Sequence, residues 1–332
     1  MRGTDRSLAQ RPRRSFCVEV MSTTTARQIV WAAVCWLTLI VGAQADPKVA
    51  YLESGEGFRV GVKIRILDLA DGSVTQFTND WLNEGSPSWG PGGETLVANG
   101  RRDDTKDIFR VRIGGKRTWL TNHPAWDAVP AWSPDGGRIA FSSTRDGDQQ
   151  IYVMDADGGN VRRVTDDPFA ASSPAWSPDG HSLVYTYSDL ASFRALRVVD
   201  IATGVGRRLT NENGERYSPE WSWDGKHIAY ATWDDALNER HVEVTTVDRK
   251  DVWRVAKGSG PAWTPDGDIS FSGSQGFNHS NIALTGLHGG EVRFLTDGPT
   301  AKSALAWYNP RYFAVRTLSL LQPTVWGWLK AR

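Results

Sequence analysis

One tryptophan recurs along this chain at a nearly constant interval: Trp89, Trp132, Trp176, Trp221, Trp263 and Trp307 lie 43, 44, 45, 42 and 44 residues apart. Each sits in a segment of the form Pro-x-Trp-Ser-Pro-Asp-Gly or a decayed copy of it. A fixed period of roughly 20–50 residues marks an array of like structural units, and it constrains the fold before any single element is assigned. The clearest unit reads Pro130-Ala-Trp-Ser-Pro-Asp-Gly136, then Ile139-Ala-Phe-Ser-Ser143, a polar loop, Ile151-Tyr-Val-Met-Asp155, the turn Ala156-Asp-Gly-Gly159 and Val161-Arg-Arg-Val-Thr165.

Short runs rich in Val, Ile, Phe and Tyr, split by Gly and Asp turns, predict four strands per unit and leave little room for helix. In Ser133-Pro134-Asp135-Gly136 the proline presets φ near −65° and the glycine admits φ > 0, so this turn joins adjacent antiparallel strands. A four-stranded sheet repeated at this period predicts an all-β fold, a six-bladed, WD-repeat-like β-propeller whose blades pack face to face. Helical repeats fail on strand content, and leucine-rich repeats fail on period. Each anchor Trp is expected on the innermost strand, buried between blades. The 33 Gly and 16 Trp of the 332 residues follow from many tight turns and one repeated aromatic position.

The chain ends predict ring closure. Three strand-like runs, Val49–Glu53, Lys63–Asp68 and Val74–Thr78, precede the first anchor, and the strand of Trp307 is the innermost strand they lack. Pairing N- and C-terminal strands hides sheet edges that would invite aggregation. After Trp307, Tyr312–Thr317 is either a further strand or part of a short tail, and the two readings stay open. At the other end, Ile29–Ala43 is an uncharged run after Arg27, ending in Ala43-Gln44-Ala45. That predicts a signal peptide over 1–45, with a mature chain over 46–332 and no stable membrane span after processing, because a spanning helix needs roughly 20 apolar residues. Translation from Met21 would leave a sufficient leader. Both cysteines, Cys17 and Cys35, fall in the leader, and the mature chain carries 32 Lys+Arg against 36 Asp+Glu, so nucleic acid is not an expected partner.

The units Trp-Ser-Pro-Asp-Gly, Ile-Ala-Phe-Ser-Ser, Arg145-Asp-Gly and Ile151-Tyr-Val-Met-Asp-Ala-Asp-Gly158 together resemble the repeat of the TolB-like propeller family. The resemblance runs from about Val49 to Trp307. TolB proper places an α/β domain ahead of its propeller, whereas here only a few residues separate the expected cleavage site from the first strand, so the resemblance implies the propeller alone. It also implies a periplasmic or secreted protein with a partner in the cell envelope, as in the Tol–Pal system. Similar repeats occur in propeller domains of prolyl-oligopeptidase-type peptidases and in oligogalacturonate lyases, and a fold alone does not choose an activity.

Function is expected on the face made by loops between second and third strands and between blades, which the sequence makes long and varied. Long loops on a rigid scaffold are where binding usually resides. The aromatics Trp81, Trp126, Phe169 and Tyr217 and the arginines Arg101, Arg145, Arg194, Arg216 and Arg240 fall there, the residue types that most often anchor interfaces. The alternative is that they plug inter-blade cores or pair with nearby Asp. His123, His241 and His279 also fall in or beside these loops, which leaves open a propeller-type polysaccharide lyase with a metal near the channel mouth. They lack any short-range ligand spacing, and no Gly-x-Ser-x-Gly, His-Glu-x-x-His, Cys-x-x-Cys or phosphate loop is found. The expectation is therefore a monomeric binding scaffold rather than an enzyme, without cofactor, recognising a protein, peptide or glycan.

Overall fold

The computed structural model describes residues 47–54, 62–77, 85–188, 194–210, 214–274, 280–297 and 300–309. The expected leader over 1–45, Trp81, His279 and the residues after Asn309 lie outside the described residues. Within them every regular element is a strand. The first three are β1 (Lys48–Ser54), β2 (Val62–Asp68) and β3 (Val74–Gln76). They are followed by β4 (Gly85–Trp89), β5 (Thr95–Arg102), β6 (Thr105–Arg112) and β7 (Arg117–Trp119), then β8 (Asp127–Trp132), β9 (Arg138–Ser143), β10 (Gln150–Asp155) and β11 (Arg162–Arg163). Next come β12 (Ala170–Trp176), β13 (Ser182–Ser188), β14 (Arg194–Asp200) and β15 (Gly206–Arg208), and β16 (Glu215–Trp221), β17 (His227–Asp234), β18 (Glu239–Thr246) and β19 (Val252–Lys257). The last are β20 (Ser259–Trp263), β21 (Ile269–Ser274), β22 (Ser280–Thr285), β23 (Arg293–Phe294) and β24 (Lys302–Tyr308).

Hydrogen bonding groups these into four four-stranded sheets and one of eight strands. Six separate sheets were expected; a single parallel pair, Arg194 with Glu215, joins the meander ending in β14 and β15 to the one beginning at β16. The expected closure is present: β24 pairs antiparallel with β1, setting Trp307 against Val49 and Ala306 against Ala50. The anchor strands touch in the closed order β4, β8, β12, β16, β20, β24 and back to β4. The fold is an all-β propeller.

Strand alternation explains how the sheets stack. Successive side chains point to opposite faces, so a strand buried on both faces must be apolar at every position. In β9 and β10, Ile139, Phe141, Tyr152 and Met154 pack toward Val97 and Ile108 of the preceding sheet. Their neighbours Ala140, Ile151 and Val153 pack the other way, against Trp176, Leu183 and Tyr185. Of the anchors, Trp89, Trp176, Trp263 and Trp307 are buried, whereas Trp132 and Trp221 keep part of their surface accessible. The indole N–H of Trp89, Trp176 and Trp263 donates to the carbonyl of Ala306, Ala131 and Glu220, in each case the residue just before the anchor of the preceding strand.

The turn motif works as its residues predict. Ser133 Oγ accepts from the Arg138 amide and donates to Asp135, while Gly136 takes φ +73° and its amide reaches the Ser133 carbonyl. Ser177/Asp179 and Ser222/Asp224 repeat the device. A second device recurs where the outer strands are only two or three residues long. Thr121, Thr165, Thr210 and Thr296 each accept the amide of the third strand, at Ile108, Ile151, Leu196 and Ile282.

Candidate functional site

The anchor strands form the wall of a channel of about 270 Å³. Each is bulged at the same place, just before the residue that precedes its Trp. Ser86, Val129, Ser173, Ser218, Gly260 and Ala304 adopt φ between +46° and +58° there and line the channel. For the β-branched Val129 this backbone is strained, and a bulge repeated in all six strands holds it. Neighbouring sheets secure two of these points, Asn99 Oδ1 accepting from the Val129 amide and Ser142 Oγ from that of Ser173.

Around one end of the channel lie the starts of the anchor strands and the connections between second and third strands. Two of those connections are shorter than the sequence suggests. β5 and β6 stay paired to Arg102 and Thr105, and β17 and β18 to Asp234 and Glu239, so Asn99–Asp107 and Trp233–His241 are mostly hairpin. Their polar residues read as loop, yet an exposed strand extension accepts polar side chains on both faces.

The structure sorts the candidate residues into distinct settings. Trp126 is 57% exposed, with the Lys106 ammonium 5.3 Å from its ring centre. Lys106 is paired in register with Arg101, which is exposed and bonded to the Asp103 carbonyl and near Asp104. Arg194, Arg216, Tyr217 and Arg240 come together where β14 meets β16. Arg194 pairs with Glu215, the Arg240 guanidinium lies 5.8 Å from the Tyr217 ring, and Arg216 is partly buried beside Tyr217. Burial raises the Tyr217 phenol above its ordinary value, opposed chiefly by the Arg240 charge. Phe169 is half-buried and meets Tyr187 edge to face at 6.1 Å.

Arg145 takes the alternative setting, paired with an Asp. Its Nη2 donates to both oxygens of the fully buried Asp127, at 3.1 and 2.9 Å, its Nε donates to Ser143 Oγ, and the guanidinium lies near the Phe141 and Tyr152 rings. A buried carboxylate demands such a partner, and sequence reading had no way to know that Asp127 is buried. Of the histidines, His279 lies outside the described residues; the His123 Nδ1 accepts the Ala125 amide, and His241 is buried on β18, 3.8 Å from Glu239. Among the described residues no three His, Cys, Asp or Glu side chains group as metal ligands, and no helix is long and apolar enough to cross a membrane.

Sequence reading missed Glu220. It occupies the position before the anchor Trp, where the other five strands have Ser88, Ala131, Ala175, Ala262 and Ala306, and it lines the channel. Aligning the six repeats would have shown it as the odd residue.

A closed array of sheets around a channel, with its distinctive residues at the rim, defines a propeller of the repeat-protein class. Residues 44–216 match the family model of the TolB beta propeller domain, and the chain belongs to that family. Among solved structures it is similar to TolB from Acinetobacter baumannii, at 20% identity and a TM-score of 0.71, over 84% of this chain and 71% of that one. A putative TolB from Agrobacterium tumefaciens matches at 20% identity and 0.61, over 79% of this chain and 99% of that one. The hydrazine synthase of Kuenenia stuttgartiensis matches at 14% identity and 0.66, over 81% and 47%. At these identities the likeness is one of fold. A search among curated proteins found no match.

Proposed function

We propose that this chain is an exported, non-catalytic binding scaffold of the periplasm or extracellular space, a six-bladed ring that recognises a protein or peptide on the rim bearing Trp126, Tyr217 and the arginines. The eight-stranded sheet counts as two blades in this reading. In support, Val184, Leu196 and Val198 on one half pack against Ile228 and Tyr230 on the other, as successive blades would. Export rests on the leader-like sequence of residues 1–45.

The observation that carries the binding reading is the exposed Trp126 beside Lys106, at the same strand ends as the Arg194, Arg216, Tyr217 and Arg240 group. A large exposed aromatic flanked by cations suits a partner with acidic groups around an apolar contact. The test is capture from envelope extract, identification of the partner, and calorimetric titration of variants. Trp126→Ala and Arg240→Ala should each weaken binding by about 1–3 kcal/mol with the unfolding midpoint nearly unchanged. Asp157→Asn, in a turn at the opposite strand ends, should bind as the parent does. Unchanged affinity in both rim variants would place the partner elsewhere.

A further inference from the structure

At and just after the end of β16 the repeat is broken twice, and both departures line the channel. Glu220 stands where the other anchor strands carry Ser or Ala, and Trp223 stands where Pro134 and Pro178 stand after their anchors. Among the described residues, Glu220 is the one ionisable side chain in the channel lining. Among the described residues its carboxyl has no hydrogen-bond or ion-pair partner; only its backbone carbonyl is engaged, by the Trp263 indole. Five sister strands close the same ring with a small residue at this point, so folding does not call for the carboxyl. An unpaired acid in an apolar wall is a cost, and one that a cationic ligand would offset.

Trp221 also departs from its sister anchors. Trp89, Trp176 and Trp263 donate their indole N–H to a neighbouring carbonyl, but the Trp221 Nε1 is buried with no partner. The Glu220 carboxyl thus shares one stretch of channel with the Trp221 and Trp223 rings.

We propose that the channel binds a primary alkylammonium group, held by the Glu220 carboxylate against Trp221 and Trp223. Indole faces attract cations, and the remaining wall of proline, alanine and tryptophan suits a narrow alkyl chain behind the charge. A single carboxylate matches a single positive charge, whereas calcium takes six to eight oxygen ligands and magnesium a near-ideal octahedron of them. Burial pushes the Glu220 carboxyl up to about 7, so near neutral pH an arriving cation draws it fully into the anion. The ammonium has two sources, a free amine or a lysine side chain of a bound peptide. This site is distinct from the rim surface and does not rest on it.

The test is isothermal titration of the full exported protein at about pH 8, where the carboxyl is ionised. The probes are hexylamine, hexan-1-ol as its neutral counterpart, Nα-acetyl-lysine amide and calcium chloride. Hexylamine should bind saturably and hexanol far more weakly, with Glu220→Gln lowering the amine affinity roughly tenfold or more and leaving hexanol unchanged. Binding of the lysine amide assigns a peptide source, and its failure beside bound hexylamine a free amine. Glu220→Ala, the residue of the sister strands, guards against a folding defect and should behave as the Gln variant does. Equal amine affinity in both variants, absence of saturable hexylamine binding, or calcium binding that depends on Glu220 and is not displaced by the amine would each overturn the proposal.

Discussion

At the scale of single residues, the fully buried Asp127 and the channel-wall Glu220 have opposite fates. Asp127 is matched by Arg145, so Arg145→Ala should destabilise the fold by about 3 kcal/mol in denaturant titration, the cost of leaving a buried charge alone. A loss under about 0.5 kcal/mol would mean that the pair is a surface feature. Glu220 has no such match, and burial is the sole cause of its shift. Glu215 and Arg216 on β16, Arg194 and Arg197 on β14, Tyr185 and Tyr187 on β13, and His227, Tyr230 and Asp234 on β17 take no part, while β12 and β20 carry no titratable side chain. Its folded value, about 7, lies above the ordinary 4.5, so between these pH values the folded state holds more protons than the unfolded one. Its contribution to stability is therefore full below about pH 4.5 and falls as pH rises through about 7. Glu220→Gln should be more stable than the parent at pH 8, by on the order of 2 kcal/mol, with the gap closing toward pH 4.5. A gap independent of pH would contradict the assignment. The fate of Asp127 was not legible in the sequence, because nothing marks it until the ring sets it under a guanidinium; Glu220 was legible as the one acid directly before an anchor Trp, but not its place in the channel wall.

At the scale of elements, the repeat was almost fully legible, since period, turn residues and alternating apolar runs all report the same geometry. The runs Val49–Glu53 and Lys63–Asp68 became β1 and β2 within a residue. What the pattern did not carry was the bulge, which depends on the packing of six strands around a common axis, and the extent of the hairpins at β5–β6 and β17–β18. The Thr device hides in plain sight as the last residue of Val164-Thr165 or Leu209-Thr210, because a polar residue after a short strand reads as loop. Thr165→Val removes the acceptor of the Ile151 amide and the donor to Gln150, and should cost about 1–2 kcal/mol. Faster hydrogen exchange at Ile151, with Phe141 unaffected, would be the local signature. Trp176→Ala should cost about 3–5 kcal/mol, since it empties one inter-sheet core and frees the Ala131 carbonyl.

At the scale of the whole molecule, channel and rim both exist only if the ring closes, and closure joins residues more than 250 positions apart through β1 and β24. Without it, the two edges would expose unpaired backbone and the strand ends carrying Trp126 and Arg240 would not share a surface. Replacing Ala50 and Ala306 by cysteine tests this directly, because they are register partners in the closing pair. Directly opposed residues of antiparallel strands hold their Cβ atoms about 4.5–5.5 Å apart, close enough for a disulfide after a small adjustment. Under mild oxidation the double variant, with Cys17 and Cys35 replaced, should form an intramolecular disulfide in high yield, seen by mass and by mobility on a non-reducing gel, and should unfold at higher temperature than its reduced form. Failure to cross-link while the protein remains folded, or cross-linking only between molecules, would contradict the closed ring and with it the account of channel and rim.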